Sequence, residues 1–461
     1  MKKRILALLL ALTLFAALCG CGKKKEADTS GKTVITVANW PDKTNPDGLK
    51  KMNRIKDEFM KENPDIIIKT DTYRYDTKTF TMKINGGQMA DLFLTWFTEL
   101  NQLVSSGYVA DITSSMDKLG YTKALNPTLL DMVKNNGKIY AVPTNVYAQG
   151  LYINKKLFKQ AGLVNEDGSI KVPSTYDEVA EYSKIINEKT GAGGYAIPTT
   201  ENCGGWHFMN IAWSYGTEFM KEGKDGKWKA TFNTPETVAA LQYVKDLKWK
   251  YNSFPSNTVI NRTELFKLFG LEQIAMMFAE PPQSALSSAY GMNVDDIMLV
   301  RMPEGPKGRY AQMGGDLWMF SKDANQKQIE AGIKWLNYYG LGPDIDETQI
   351  KNMREQYQTT LDDNGIVLDR KAFPVWTESE RNEKETEIAK EYTNVKPENY
   401  EQYFSFDGVT VKPEEPKCCQ QLYSVLDKCI QEVITNKNAD CKELIKEACH
   451  DFQVNHLDKM D

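Results

Sequence analysis

The stretch from residue 136 to 158 constrains the fold of this chain more than any other, and it reads NGKIYAVPTNVYAQGLYINKKLF. Its first part predicts a buried strand over residues 138–142 that ends at Pro143, because proline has no N–H for a sheet ladder. A polar connector and a second apolar run follow, and a helix begins at Leu157. We interpret the stretch as a crossing from one lobe to another, with a ligand cleft beside it.

Length and composition limit the class of protein. A chain of 461 residues is too long for one ordinary core and suits two domains. Hydrophobic residues make up 41% and charged residues 26%, which are values of globular proteins. The formal net charge of −5 argues against nucleic acid as a partner, because phosphate binding needs clustered Lys and Arg.

The N-terminus has the pattern of an export signal. A basic start at residues 2–4 precedes an apolar run over residues 5–18, and this run is shorter than the roughly 20 residues of a spanning helix. The following Leu18-Cys19-Gly20-Cys21 resembles a bacterial lipobox, in which cleavage frees the second cysteine for lipidation. An ordinary signal peptide is the alternative.

These features place the protein outside the cytoplasm. We expect a lipoprotein signal peptide over residues 1–20, a lipid anchor at Cys21 and a flexible, Lys-rich tether over residues 21–32. The protein is then held on the outer face of the bacterial cytoplasmic membrane, on the extracellular or periplasmic side.

Apolar strands alternate with amphipathic helices along the chain. A β-α-β unit over residues 34–68 indicates a parallel sheet covered on both faces, and a second crossing is expected near residues 303–315. We predict an α/β fold of two lobes, each a mostly parallel sheet flanked by helices, joined by a hinge. The N-terminal lobe takes residues 33–143 and 311–345, and the C-terminal lobe takes residues 144–310 and 346–461 with a Cys-rich helical end.

The cysteines beyond the lipobox leave three interpretations open. Cys203 stands alone, and five more lie between Cys418 and Cys449. Export permits disulfides. A metal site is conceivable beside His450 and His456, but no matching pair of C-x-x-C motifs occurs, so we predict no metal. Small core residues on amphipathic helices are the third interpretation.

The sequence offers little material for catalysis. It has three histidines and no H-E-x-x-H, G-x-S-x-G or Gly-rich phosphate loop. We therefore expect a protein that is not an enzyme and holds no cofactor. Glycoside hydrolysis by two carboxylates stays open as an alternative, although no motif selects a pair of acids.

Aromatic residues at strand ends are the positive signal for a ligand site. Trp40, Trp96 and Trp318 lie at or near predicted strand ends, where the ligand crevice of a doubly wound sheet opens. An exposed indole there can stack on the C–H face of a sugar ring, whereas ordinary core packing is the alternative for each one. Acids and amides nearby, such as Asn145 and Asp316, can bond to hydroxyl groups.

Several motifs together resemble one family. They are Gly86-Gly87, Ala90-Asp91-Leu92-Phe93, Gly107-Tyr108-Val109-Ala110-Asp111-Ile112, Gly137-Lys138-Ile139-Tyr140-Ala141-Val142-Pro143, Leu151-Tyr152-Ile153-Asn154-Lys155-Lys156-Leu157-Phe158, Pro173-Ser174-Thr175-Tyr176-Asp177-Glu178, Ala275-Met276-Met277 and Gly314-Gly315. With the lipobox, the chain resembles extracellular solute-binding proteins of family 1, which include the maltose-binding protein and serve ABC-type sugar importers. The resemblance spans residues 33–339.

The resemblance implies a periplasmic-binding-protein-like fold whose two lobes close on a ligand by a hinge. On matching positions it implies ligand contacts from both lobes at Trp96, Tyr147, Trp206, Glu280, Asp316 and Trp318. Asn145 in the crossing and Trp40 after the first strand are our additions. Trp376, in the divergent region, is a weaker candidate.

The expected function is capture of a carbohydrate, most simply an oligosaccharide, by a monomer that delivers it to the transmembrane subunits of an ABC permease. The alternatives are a binding protein for a peptide, polyamine or other polar solute, a surface glycoside hydrolase, and an adhesin or structural lipoprotein.

Overall fold

The computed structural model describes residues 31–371, 373–377 and 379–460. The predicted signal peptide, Cys21 and most of the predicted tether lie outside these residues. The described strands are β1 (Thr33–Val37), β2 (Ile66–Thr70), β3 (Leu92–Trp96), β4 (Lys134–Asn135), β5 (Lys138–Ile139), β6 (Ala141–Ala148), β7 (Gly150–Asn154), β8 (Met220–Glu222), β9 (Trp228–Ala230), β10 (Met276–Ala279), β11 (Ile297–Val300), β12 (Arg309–Phe320) and β13 (Val409–Pro413).

Helices separate most of these strands. The described α-helices are α1 (Pro46–Glu62), α2 (Phe80–Asn85), α3 (Leu100–Ser105), α4 (Thr113–Lys118), α5 (Tyr121–Ala124), α6 (Pro127–Met132), α7 (Lys155–Gln160), α8 (Tyr176–Thr190), α9 (Cys203–Tyr215), α10 (Pro235–Trp249), α11 (Arg262–Gly270), α12 (Ala285–Ser288), α13 (Gln326–Tyr338), α14 (Glu347–Asp362), α15 (Glu380–Tyr392), α16 (Glu401–Ser405), α17 (Cys419–Thr435) and α18 (Cys441–Asn455).

The buried apolar side chains form two separate cores. The first, in the N-terminal lobe, is built from residues 35–146 and 313–336, and the second, in the C-terminal lobe, from residues 148–311 and 366–457. Trp376 also packs in the first core. The segment around residues 366–376 therefore contributes to both lobes, which differs from the predicted assignment of everything after residue 345 to the C-terminal lobe.

Two long antiparallel strands, β6 and β12, carry the chain between the cores. Val146 lies in the first core and Ala148 in the second, while Ala311 lies in the second core and Met313 in the first. Because Met313 pairs with Ala148, both strands pass between the lobes at the same level. The stretch at residues 136–158 thus contains β6, one of the two crossing strands.

Pro143 does not end its strand, contrary to the prediction. It lies inside β6 and pairs with Leu317, next to an irregularity in the register at residues 316 and 317. Among the described residues, β6 pairs with β12 alone, so it is an edge strand there, and an edge strand tolerates a residue without an N–H.

The two sheets differ in strand direction. In the N-terminal lobe β1 pairs in parallel with β2 and β3, and β12 joins the edge of β3 antiparallel. In the C-terminal lobe β7 lies between β10 and β11 and is antiparallel to both. The predicted mostly parallel sheet is therefore wrong for the C-terminal lobe. An unbroken apolar run shows that a strand is buried on both faces, and it does not show the direction of its neighbours.

The Cys-rich end is a helical hairpin of α17 and α18 that packs on the C-terminal lobe. Glycine permits the close approach of α9 to α17, because a Cβ on Gly205 would lie 2.4 Å from the carbonyl oxygen of Tyr423. Five of the six cysteines beyond the lipobox are buried, and all six are free thiols in this structure.

Gly315 is the tightest point between the crossing strands, because a Cβ there would lie 2.1 Å from the backbone oxygen of Asn145. We expect Gly315→Ala to lower the free energy of unfolding by about 2 kcal/mol through overpacking, measured by urea denaturation. Gly314→Ala is the matched control: the atoms nearest to its Cβ would be those of the Tyr147 side chain, at 3.1 Å, and a side chain can shift. Equal losses for the two variants would contradict this account of the crossing.

Candidate ligand-binding cleft

Three neighbouring strands bring Trp96, Asp316 and Asn145 into one row. Asp316 on β12 is the register partner of Trp96 on β3 and also of Asn145 on β6. The Asn145 amide donates a hydrogen bond to Asp316 Oδ2 at 3.3 Å. Burial raises the pKa of the Asp316 carboxyl, and this hydrogen bond offsets part of the shift. The row thus presents an aromatic face, a carboxyl group and an amide side by side.

Trp96 supplies the aromatic face of this row. Its side chain is 40% exposed, although it lies at the end of a buried strand. The ring of Tyr75 meets it edge-on with a centroid distance of 5.5 Å, and the Tyr75 hydroxyl donates to Glu99 Oε2 at 2.5 Å. Glu99 is buried, which raises the pKa of its carboxyl. Trp96 therefore packs against the Tyr75 ring, which a hydrogen bond to the buried Glu99 holds in place.

The ring of Tyr147, on the crossing strand β6, contacts the ring of Trp206 in the C-terminal lobe. Their rings lie edge to face, with centroids 6.5 Å apart and planes 87° apart. Both are partly buried. The Trp206 indole N–H donates to Glu414 Oε1 at 3.0 Å, and the Tyr423 hydroxyl donates to the same oxygen at 3.1 Å.

Glu280 has a cationic partner that the sequence did not indicate. It follows β10, and its carboxylate forms an ion pair with Arg262, the first residue of α11. The guanidinium also lies 4.7 Å from the centroid of the Phe266 ring. Arg262 Nε and Glu280 Oε2 are buried with no bonded partner among the described residues, so each keeps hydrogen-bonding capacity.

Trp40 and Trp318 are not exposed at the cleft, and the prediction of a free indole is wrong for both. Trp40 is 2% exposed and stacks on Trp335 of α13 at 5.7 Å, with its N–H bonded to Asn53. Trp318 is 8% exposed, because β12 continues to Phe320 and places this residue inside the sheet. Trp376 is also buried, with its N–H bonded to the carbonyl of Leu341.

Some of these residues border cavities. One of about 410 Å³ is lined by Asn145, Tyr147 and Pro281 together with side chains of α14 and α15. The other, of about 310 Å³, is lined by Phe97 and Glu414 among others. Both volumes lie in the range of small-ligand sites. Asn145, Tyr147 and Glu414 thus border space in which a polar organic molecule fits.

Sequence reasoning missed four residues of this region. Tyr75 and Glu99 support Trp96, Arg262 pairs with Glu280, and Glu414 bonds to Trp206. Arg262 follows a helix cap, which identifies a helix start and no ligand site. Glu414 is separated from Trp206 by 208 residues, so no local pattern connects them.

A buried acid holds the helix that carries Trp206. Asp427 of α17 accepts the backbone N–H of Asn202 at 2.8 Å and that of Gly205 at 2.7 Å, at the start of α9. Burial is the largest cause that raises the pKa of Asp427 from 3.8 to about 6, and these backbone bonds offset part of the shift.

We expect Asp427→Ala to cost about 2 kcal/mol of unfolding free energy, because two backbone N–H groups lose their acceptor. The loss should be larger at pH 5 than at pH 7.5. A carboxyl whose folded pKa is raised binds its proton more tightly when folded, so the wild type gains stability as pH falls through 6. Urea denaturation at both pH values measures this. Glu447→Ala, which removes an exposed acid on α18, should change little, and a pH-independent Asp427 deficit would contradict the prediction.

Comparison with known proteins identifies related sequences. The sequence profile described as bacterial extracellular solute-binding protein matches residues 43–340. A maltodextrin-binding protein of Bacillus subtilis (strain 168) is 25% identical over 351 residues, which is 73% of this chain and 76% of that protein.

Solved structures share the fold. The maltose-bound MalE3 protein of T. maritima superposes with a TM-score of 0.65 at 20% identity, covering 91% of this chain and 99% of that one. UgpB of Mycobacterium tuberculosis, solved in complex with glycerophosphocholine, gives a TM-score of 0.68 at 16% identity, covering 92% and 98%. These matches confirm the two-lobed α/β fold predicted from the sequence.

Within residues 31–371, 373–377 and 379–460, none of the helices has the length and apolar composition needed to span a bilayer.

Proposed function

Because this chain belongs to the bacterial extracellular solute-binding protein family, we propose that it captures a carbohydrate between its lobes and delivers it to an ABC permease. The observation that carries the proposal is the row of Trp96, Asp316 and Asn145. Tyr147 lies two residues after Asn145 on the same strand and contacts Trp206 edge to face. Aromatic faces stack on the C–H faces of sugar rings, while a carboxylate and an amide bond to hydroxyl groups. Aromatic groups from both lobes give an oligosaccharide more than one stacking position.

The crossing strands support a mechanism of ligand binding and lobe closure in which no chemical reaction takes place. A ligand that touches both lobes binds the closed arrangement better than the open one, and it shifts the protein toward closure. The closed form is then the state that the permease recognises. Catalysis is not part of the proposal, because Glu280 is occupied by Arg262 and therefore makes a poor partner for Asp316 in a pair of catalytic carboxyls.

A charged or zwitterionic polar solute is the second candidate ligand. Among the described residues, no salt bridge pairs the Asp316 carboxyl with a cation, and it lies beside an exposed indole. A carboxylate next to an aromatic face suits an ammonium group, as in a polyamine, a peptide N-terminus or a choline ester. The fold likeness to the glycerophosphocholine complex agrees with this candidate.

Thermal denaturation of the mature protein with a ligand panel separates the candidates. We expect maltotetraose, raffinose or another neutral oligosaccharide to raise the melting temperature, since a ligand that binds only the folded state stabilises it. With that ligand, Trp96→Ala and Trp206→Ala should each weaken affinity about fivefold or more, measured by calorimetry.

Trp40→Phe is the control, because it alters a buried indole of the N-terminal core and should lower stability without changing affinity. A panel in which only spermidine, dipeptides or glycerophosphocholine raise the melting temperature would replace the carbohydrate by the second candidate. Turnover of a glycan over hours would show a hydrolase instead.

We further propose that the protein is a monomeric lipoprotein, held by Cys21 at the outer face of the cytoplasmic membrane. The lipobox-like Leu18-Cys19-Gly20-Cys21 and the polar segment after it support this assignment. Two acyl chains on one cysteine suffice for a stable anchor.

Cys21→Ser should move the expressed protein from the membrane fraction to the soluble fraction and abolish incorporation of labelled palmitate. Cys19→Ser, two residues earlier, is the matched control and should leave both unchanged. Continued membrane retention of Cys21→Ser would remove the lipid anchor from the proposal.

A further inference from the structure

Glu414 lies beside the proposed cleft and accepts a hydrogen bond from Trp206 in the C-terminal lobe. It follows β13, where it borders the cavity of about 310 Å³. Its Oε1 atom accepts two hydrogen bonds, one from the indole N–H of Trp206 at 3.0 Å and one from the hydroxyl of Tyr423 at 3.1 Å. One carboxylate oxygen therefore fixes the edge of an aromatic ring that we assign to ligand contact.

Hydrogen bonds link Glu414 through Tyr423 to the crossing strand β12. The Tyr423 hydroxyl accepts a hydrogen bond from Gln312 Nε2 at 2.7 Å. Gln312 lies on β12 between Ala311 and Met313, where the strand passes from one core to the other. Its backbone N–H donates at 2.7 Å to Asn210 of α9, the helix that also carries Trp206.

The residues around Glu414 also approach the N-terminal lobe. The backbone of Thr98, two residues after Trp96, lowers the pKa of the Glu414 carboxyl and offsets part of the effect of burial. The Gln420 side chain, at the start of α17, lies 3.5 Å from Thr98 Oγ1. Glu414 therefore has neighbours on both walls and a bonded path to the strand that joins the lobes.

We propose that Glu414 is a positioning residue of the cleft, which orients the Trp206 ring for ligand and ties that ring through Tyr423 and Gln312 to the crossing strand β12. The proposal rests on the proposed function in taking Trp206 as a ligand contact. An indole pinned at its N–H loses less rotational freedom on binding than a free one, so removing the acceptor weakens affinity without removing a ligand contact.

The next residue provides a matched control. Glu415 accepts the indole N–H of Trp213 at 3.0 Å, in the same geometry, and also pairs with Lys412. Trp213 is 2% exposed in the core of the C-terminal lobe, and we assign it no ligand contact. Glu415→Gln and Glu415→Ala thus repeat the same chemical change on a tryptophan with a structural role.

The first experiment needs no ligand. Protein labelled with 5-fluorotryptophan gives ¹⁹F resonances, and the one lost in Trp206→Phe identifies Trp206. Burial is the main cause that raises the pKa of Glu414 to about 8, and the Glu99 carboxyl adds to the shift. Tyr147, Cys419 and Tyr423 are the other titratable groups beside it.

We expect the Trp206 resonance of the wild type to shift with a midpoint near pH 8, as the carboxyl that bonds to its N–H ionises. Glu414→Gln keeps an acceptor and cannot ionise, so it should hold a fixed resonance through that range. Glu414→Ala should broaden or displace the resonance at every pH. The two Glu415 variants should leave the Trp206 titration unchanged.

The second experiment uses the carbohydrate that the thermal panel identifies, with maltotetraose as the first probe. Glu414→Ala should weaken its affinity about as much as Trp206→Ala. The double variant should be no weaker than Trp206→Ala alone, because both changes act through one ring. Glu414→Gln should recover most of the affinity, whereas Glu415→Ala should lower the melting temperature and leave affinity unchanged.

Distinct outcomes would overturn the two proposals. A Trp206 resonance that is identical in wild type and Glu414→Ala, or affinity losses that add fully in the double variant, would reject positioning by Glu414. A panel without any binding ligand would reject the proposed function and leave the fluorine experiment as an independent test of the contact. If circular dichroism shows that Glu414→Ala is unfolded, Glu414→Gln and Tyr423→Phe replace it. Below pH 7, Tyr423→Phe should displace the Trp206 resonance, whereas Glu414→Gln should leave it at the wild-type position.

Discussion

The antiparallel pairing of β6 with β12 is the interaction on which the rest of the structure depends. It is the place where the chain passes between the two cores, with Ala148 beside Met313. The same pairing puts Asn145 next to Asp316, and Tyr147 next to Gly314. Both strands pass between the cores at one level, so the proposed hinge and the proposed ligand site share residues of these two strands.

Carboxyl groups bond to aromatic residues in both lobes. Glu99 fixes Tyr75 against Trp96 in one lobe, and Glu414 fixes Trp206 in the other. Burial disfavours the charged form of each acid and raises its pKa, and the hydrogen bonds offset part of that cost. A ring held this way is ordered before a ligand arrives, so less entropy is lost on binding.

Local sequence signals predicted the elements better than the burial of particular side chains. The motif before α8 allowed a capping box from Ser174 with Asp177 or from Thr175 with Glu178, and the folded chain uses the second. Trp40, Trp96 and Trp318 gave one signal, an indole near a strand end, and only Trp96 is substantially exposed. What covers Trp40 is Trp335, almost 300 residues later in the chain. Exposure is set by such distant neighbours, which a strand-end pattern does not contain.

The sequence by itself determined the crossing at residues 136–158, the second crossing, the two-lobed α/β class and the family, because these follow from local apolar runs and contiguous motifs. Only the tertiary structure decided that the C-terminal sheet is antiparallel, that Arg262 neutralises Glu280 and that Glu414 bonds to Trp206. Each of these pairings joins groups from separate segments. Strand direction and side-chain partners are properties of the packed chain, since they depend on which segments pack together after the apolar faces are buried.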